Sequence, residues 1–487
     1  MMLRRNFALS ASSSIRIGKD NNVIDSSPAH AETPSPADFY DLVVVGAGAC
    51  GMVAALAATD ARKSVLVLEK LENVGGNSTL STGSVPGANT RFQRDAGIED
   101  SPSAMVDDLL RTSGPHEAED LLALMAESSA EIIEWLVDRH DIGLYLITDY
   151  KHVGHSVPRL HAPADRNGAN LTADLERACQ RAGVTILTST PVVELLTTDG
   201  AVTGATAALS FGMHKNISAG AVLLASNGFG ANRELLERWI PEMVGTVYHG
   251  ARGSTGEAIS WAEELGADLA NVSAYQAYAA VATDAGDILS WTTVELGAIL
   301  VGPDGKRLGD ESVGYSAFAE VVARQTPESF TIMDRKIYEY VARNEPRFVK
   351  IINLDCVHPA ADVAELAQYV GCDEETLALT LASAHAAAAG ESADELGRTD
   401  FGQGPLEAPY FVCKTHPAMF HTQGGVRVDR FARVVTAEGV PVPGLYAGGG
   451  VAAGVSGQSG ADGYASGNGL LTAVGLGYAA GTHVGAA

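Results

Sequence analysis

The sequence predicts an α/β protein in which a discontinuous, Rossmann-like dinucleotide-binding domain is interrupted by an inserted α+β domain. Three observations carry this expectation. A strand, a spaced set of glycines, a helix, a second strand and an acid succeed one another near the start. A second glycine-rich segment of the same kind returns near the end. The stretch between them differs in composition, with tyrosines and mixed polarity.

The early segment has a physical reading. Leu42, Val43, Val44 and Val45 form a short all-apolar run, the mark of a buried parallel strand. Gly46 permits the tight turn, Gly48 permits close approach of a pyrophosphate, and Gly51 permits close packing of the next helix on the strand. The N-terminus of that helix, at Ala49, presents free N–H groups and a partial positive charge to phosphate. A second apolar run, Val65 to Leu68, ends at Glu69, where a carboxylate accepts hydrogen bonds from ribose hydroxyls. All these features in order are far more specific than a lone glycine triplet.

The loop after Glu69 favours FAD over NAD. Lys70 leads into Gly75, Gly76, Asn77, Ser78, Ser81 and Gly83, a run of glycines and hydroxyls suited to a longer cofactor. A buried strand at residues 221–225 ends at Ala225 and runs into Gly228, which can also touch the dinucleotide. The late segment supplies Gly449, Asn468, Gly469 and Leu470, expected to close over the reactive ring. The fold class is therefore a discontinuous Rossmann-like FAD-binding domain with an inserted α+β substrate-cap domain. The expected divisions are a disordered tail over 1–37, FAD-binding parts over 38–270 and 405–487, and the cap over 271–404. Helices are expected over 117–138, 172–182 and 376–389, and a strand over 185–188.

Composition narrows the function classes. The chain has 487 residues, 46% hydrophobic, with 53 glycines, which fits a large α/β protein. A formal charge of −26 argues against nucleic acid or an anionic membrane surface as partner. The five cysteines are scattered, without the spacing of a haem, zinc or iron–sulfur site. Reduced thiols and a cytoplasmic location are the simplest expectation. Arg4 and Arg5 suggest a twin-arginine leader, but the serine-rich run after them lacks an apolar core. No apolar stretch of about 20 residues precedes the glycine-rich C-terminal run, which is expected to be a buried helix. His152, His155 and His161, with Arg159 and Arg166, fit no metal spacing and are expected to be solvated. No metal is expected.

From about residue 39 to 481 these motifs, together with the Ala225-to-Phe229 strand end, the His421-to-Gly425 turn and the Gly444-to-Gly448 segment, resemble the fumarate reductase and 3-ketosteroid dehydrogenase group of flavoproteins. The resemblance places Val193 near the adenine. It also locates departures. Where the reductases hold their dicarboxylate with histidine and arginine, this chain has Tyr278, Tyr315, Phe420 and Tyr464. Gly450 stands where many relatives carry glutamate or asparagine. Arginine grips a carboxylate with a bidentate fork, whereas tyrosine offers one neutral hydroxyl and an apolar face. The site is thus expected to reject small dianions and accept an apolar cyclic ketone.

This pattern resembles the 3-ketosteroid Δ4-(5α)-dehydrogenases, through Glu311, Ser312 and Tyr315 in the cap and Tyr464, Ala465 and Ser466 near the end. The resemblance implies desaturation beside a carbonyl. Tyr464 polarises the ketone, Ser466 relayed to Tyr315 takes the α-proton, and the β-hydride passes to the flavin. Tyr278, Phe420 and His421 line the substrate, while Ser312 and Arg307 are structural. An external electron acceptor is the expected partner. A Δ1-type enzyme, a desaturase of a smaller ketone and an ene-reductase running in the opposite direction remain open.

Overall fold

The computed structural model describes residues 38–116, 118–148, 152–461 and 463–487. The expected tail over 1–37 lies outside the described residues.

Two sheets organise the chain. The first has the order Arg433–Val435, Pro441–Ala447, His214–Leu224, Phe39–Val45, Val65–Leu68, Thr185–Leu187, with Val192–Thr198 and Ala201–Ala208 attached. Its centre is parallel, with Val44 opposite both Val67 and Leu223, and Leu445 opposite Val222. The late strand thus returns beside the early ones, as the glycine-rich ends of the sequence predict. Strand Phe39–Val45 is buried from Leu42 onward, which is why it reads as an unbroken apolar run.

Gly46 and Gly51 carry the tight strand-to-helix turn. Gly46 adopts φ +110°, and a Cβ there would sit 2.5 Å from the Ala225 carbonyl oxygen. A Cβ on Gly51 would sit 2.0 Å from the Gly46 carbonyl oxygen. Helix Ala49–Asp60 then packs against Asn468–Ala486, the expected buried C-terminal helix. The glycines of that last helix have a packing reason. A Cβ on Gly477 would lie 2.4 Å from the Cys50 carbonyl oxygen, and one on Gly481 2.3 Å from that of Ala54. The close approach offsets a helix-propensity cost of about 1 kcal/mol for each glycine.

The second sheet is mainly antiparallel: Asp287–Ile288, Ser273–Ala282, Tyr410–Thr422, Ser329–Asp334, Ile299–Val301, with the short strands Val247–Tyr248 and Val357–Ala360 also paired to Tyr410–Thr422. By pairing, it takes in Tyr410–Thr422, although the glycine pattern assigned residues from 405 onward to the nucleotide-binding part. The expected helices are found at Glu119–His140, Gly168–Arg181 and Glu374–Ala388, and the strand expected over 185–188 at Thr185–Leu187.

One expectation is overturned. His152, His155, Arg159 and His161 are buried, not solvated. Arg159 is held by Asp100 and Asp108, and His161 sits between the Thr90 hydroxyl at 3.0 Å and the Arg159 carbonyl at 2.9 Å. An ion cluster packed inside the protein has the same composition as an exposed polar loop, so the sequence alone reads the wrong way. No group of residues able to hold a metal occurs among the described residues. No helix among them is long and apolar enough to cross a membrane.

Candidate active site

A cavity of about 520 Å³, within the usual range for small-molecule sites, runs between the two sheets. One part is lined by the residues expected to hold the dinucleotide: Gly46, Gly48, Ala49, Glu69, Lys70, Gly76, Asn77, Ser78, Ser81, Ala225, Gly449, Gly469 and Leu470. Glu69 is oriented by the backbone. One carboxylate oxygen accepts from Ala47 N at 2.9 Å, the other from Leu71 N at 2.8 Å. A carboxylate has about four acceptor sites, so capacity remains for ribose hydroxyls. Lys70 is instead drawn to Thr255 and to Glu257 at 3.0 Å.

The chemistry of this lining fits FAD. Helices Ala49–Asp60 and Asn468–Ala486 both begin at glycine N-caps without a side-chain capping bond, and Gly48 and Ala49 of the first and Gly467, Gly469 and Leu470 of the second line the cavity. Two helix N-termini, the first with its Ala49 N–H donating to the Ser78 hydroxyl at 3.2 Å, suit the negative charge of a pyrophosphate and of a flavin ring. The position of Gly450 is also explained. A Cβ there would lie 2.2 Å from the Asn227 side-chain oxygen, so Asn227 occupies the place of a longer residue.

Five expected cofactor residues stand off the cavity wall. Gly51 and Gly83 shape the backbone behind it. Gly228 packs against Thr422, where a Cβ would lie 1.9 Å from the hydroxyl. Asn468 is buried and donates to the Ser456 hydroxyl at 3.2 Å. Val193 is exposed, while Pro191 and Val192 line the cavity in its stead. Strand alternation turns adjacent side chains to opposite faces, which separates Val192 from Val193.

The other part of the cavity is aromatic. Tyr278 stacks on Tyr315 at 4.8 Å between ring centroids and on Phe420 at 5.9 Å, and Tyr315 meets Tyr464 edge to face at 5.3 Å. The Tyr278 hydroxyl is turned away and donates to the Leu289 carbonyl at 3.0 Å, leaving its ring face to the cavity. The Tyr315, Tyr464 and Ser466 hydroxyls lie close enough to perturb one another, and Gln276 acts on Tyr464 in the same way. Both phenols remain partly open to the cavity. Burial pushes both up, Tyr315 well above the ordinary phenol value with the neighbouring Tyr464 adding to the effect, so each is a neutral hydroxyl donor at ordinary pH. Ser466 is not among the cavity-lining residues. It lies behind the tyrosines, its backbone held by Val153 O at 3.0 Å and by the His155 ring at 2.8 Å.

Phe420 and His421 are consecutive yet both line the cavity. The reason is a bulge: Gln276 pairs with His421 and Ala277 with Met419, so Phe420 is an extra residue in its strand. His421 Nε2 lies 2.6 Å from Gln276 Oε1, and burial pushes its imidazole below the ordinary value. Sequence reasoning misses Gln276, although it shares a strand face with Tyr278 two residues on. Arg307 and Ser312 stand apart from the cavity, Arg307 paired with Glu311 and Asp394 at 2.6 Å each.

Comparison with known proteins places this geometry. The family described as "FAD binding domain" matches residues 41–470. A curated NADH:fumarate oxidoreductase of Klebsiella pneumoniae (strain 342) is 29% identical over 86% of this chain, which spans 45% of that protein's length. The solved structure of a flavocytochrome c3 fumarate reductase in its open conformation superposes with a TM-score of 0.79 at 27% identity, covering 93% of this chain and 79% of that one. The 3-ketosteroid-Δ4-(5α)-dehydrogenase of Rhodococcus jostii RHA1, solved with 4-androstene-3,17-dione, gives 0.74 at 27% identity, covering 92% of this chain and 97% of that one. With the family matched over most of its length and the cavity lined as an FAD site requires, the chain belongs to the FAD-binding-domain family of flavoprotein oxidoreductases, and its cofactor is FAD.

Proposed function

We propose that this protein is an FAD-dependent dehydrogenase that introduces a C=C bond beside the carbonyl of an apolar cyclic ketone, a 3-oxosteroid of the Δ4-(5α) type. One observation carries the reading. Tyr278, Tyr315, Phe420 and Tyr464, which stand where the reductases of the resemblance keep cations, form a continuous aromatic wall on one cavity. Such a wall packs flat apolar rings and offers hydroxyls at one end.

When bound, FAD would supply the acceptor for the β-hydride, and an external electron acceptor would take up the electron pair. The chain's residues do the rest. Tyr464, beside Gln276, Tyr315 and Ser466, donates to the ketone oxygen and stabilises the charge that grows there as the α-proton leaves. The proton needs an acceptor, and a lone hydroxyl is too weak a base at a phenol value of about 10. Tyr315 and Ser466 act as a relay: Tyr315 takes the α-proton as its own proton moves to Ser466, and part-buried Ser466 releases its proton to bulk solvent, the net proton acceptor. Tyr315 lines the cavity and Ser466 does not, which supports Tyr315 as the first member in place of Ser466. The substrate loses one proton and one hydride, and gains one C=C bond.

The test is turnover of a 5α-3-oxosteroid by the holoenzyme with an artificial electron acceptor, monitored by product mass and enone absorbance. Loss of two hydrogens with a new conjugated enone supports the reading, and an unchanged steroid refutes it. A second reading, an ene-reductase running in the opposite direction, is supported by the fumarate-reducing relative. It predicts that a reduced viologen drives saturation of the enone faster than the dehydrogenation runs.

A further inference from the structure

The aromatic wall does not stop at Phe420. The ring of His249 lies 6.2 Å beyond it and 6.1 Å from that of His416. His249, Asp287, Ile288 and Arg347 line the same cavity. Ile288 pairs with Val281, three residues along the strand from Tyr278, so this end lies on the order of 10 Å from Tyr278 at the usual strand rise.

The charges at this end are unevenly committed. Asp287 is satisfied, with Lys350 at 2.8 Å and the Ile288 N–H at 2.9 Å. Arg347 and His249 are both within its electrostatic reach. Yet among the described residues neither the Arg347 guanidinium nor the His249 imidazole is taken up by a hydrogen bond or ion pair. Two cations, Lys350 and Arg347, face the one Asp287 carboxylate, which Lys350 already pairs. His249, its imidazole pushed below the ordinary value by burial, adds a neutral ring donor. Arginine's fork matches a carboxylate better than any neutral oxygen.

We propose that Arg347 and His249 form a distal subsite that binds a carboxylate at the far end of the apolar ketone substrate. This deepens the ketone dehydrogenase reading and rests on it. The substrate class becomes a fused-ring ketone with an anionic tail, its carbonyl at Tyr464 and its tail at Arg347. A small dianion cannot use both ends, because the aromatic wall separates them.

The test is ligand binding to the holoenzyme, read by perturbation of the flavin absorbance. The probes are a 4-ene-3-oxosteroid carrying a 17β-carboxylate and its neutral 17-unsubstituted counterpart. The wild type is expected to favour the carboxylate. The ratio of the two Kd values should fall roughly 10- to 100-fold in Arg347→Ala, the scale of a charge-assisted hydrogen bond. It should fall further in Arg347→Glu and recover partly in Arg347→Lys. His249→Phe keeps the ring stack, removes a donor and should lower the ratio by a smaller factor. Arg347 is solvent-exposed, so these variants fold. A ratio unmoved by Arg347→Ala and Arg347→Glu overturns the subsite while leaving the ketone reading intact. Binding of the carboxylate alone, lost in Arg347→Glu, with no turnover of any 5α-ketone, overturns the ketone reading and keeps the subsite. Binding of neither probe overturns both.

Discussion

Tyr315 and Tyr464 meet edge to face, ring centroids 5.3 Å apart at 60°, although one comes from the second sheet's side of the cavity and the other from the late glycine-rich segment. The contact joins two regions far apart in the chain at a single point on the cavity wall. Ser466 lies close enough to act on both hydroxyls. The proposed chemistry therefore depends on the two segments being held together, and it is lost by removing a single oxygen.

Removing those oxygens one at a time is the first prediction. Tyr464→Phe is expected to lower kcat by roughly 10²–10³, the scale of a lost oxyanion donor. Tyr315→Phe and Ser466→Ala are each expected to cost about 10²–10⁴. The Tyr315→Phe/Ser466→Ala pair should cost little more than either single change, because a broken relay is not broken twice. Stopped-flow flavin reduction gives the rates, and losses that multiply in the double variant would show the hydroxyls acting separately.

The second prediction concerns dicarboxylates. Fumarate placed against Tyr278, Phe420 and the hydroxyl pair would leave a buried carboxylate without a cation, a penalty of several kcal/mol. Reduced viologen is expected to show no fumarate-dependent oxidation above background. Rates comparable to those with a ketone would contradict the aromatic wall as the substrate face.

The third prediction addresses the cofactor. Glu69→Ala strips acceptors from the Ala47 and Leu71 N–H groups, each left unsatisfied at a cost of about 1–3 kcal/mol, and removes the ribose partner. Purified Glu69→Ala should carry substoichiometric FAD and melt at a lower temperature, while Tyr464→Phe should carry a full complement. Heat-released cofactor run against FAD and FMN standards decides this.

Stability should also depend on pH through His161. Burial pushes its imidazole down to about 4 from an ordinary 6.5, against the opposing hydrogen bond to the Arg159 carbonyl. A lowered folded value means the unfolded chain takes up the proton first as pH falls. The stabilisation is therefore present above about 6.5 and lost progressively down to about 4, by about 3 kcal/mol in total. Urea unfolding at pH 7 and pH 5 should show the loss, and His161→Gln should flatten the slope. An unchanged slope in that variant would place the titration on other buried histidines.

Much of this molecule is legible in its residues because backbone geometry leaves marks in composition. Gly46 and Gly51 are demanded by contacts too close for any Cβ, and the same holds for Gly477 and Gly481. The buried strand Leu42 to Val45 shows as an unbroken apolar run. The features that escape sequence reading depend on long-range pairing. The bulge that turns Phe420 and His421 into one cavity exists only between strands separated by more than 100 residues, and no local pattern signals it. Likewise Arg159 reads as a loop arginine until Asp100 and Asp108 are seen around it. Arg347 and His249 lie in unremarkable local sequence and acquire meaning only through the cavity they share.

The most direct measurement is anaerobic titration of the yellow holoenzyme with a 5α-3-oxosteroid, a Δ4-3-oxosteroid, a cyclohexanone and succinate, monitoring the flavin absorbance. The predicted result is rapid bleaching by the 5α-3-oxosteroid and none by succinate. Bleaching by succinate, or a flavin that stays oxidised with the 5α-3-oxosteroid, would contradict the claim that the Tyr315–Tyr464 pair serves the desaturation of an apolar ketone.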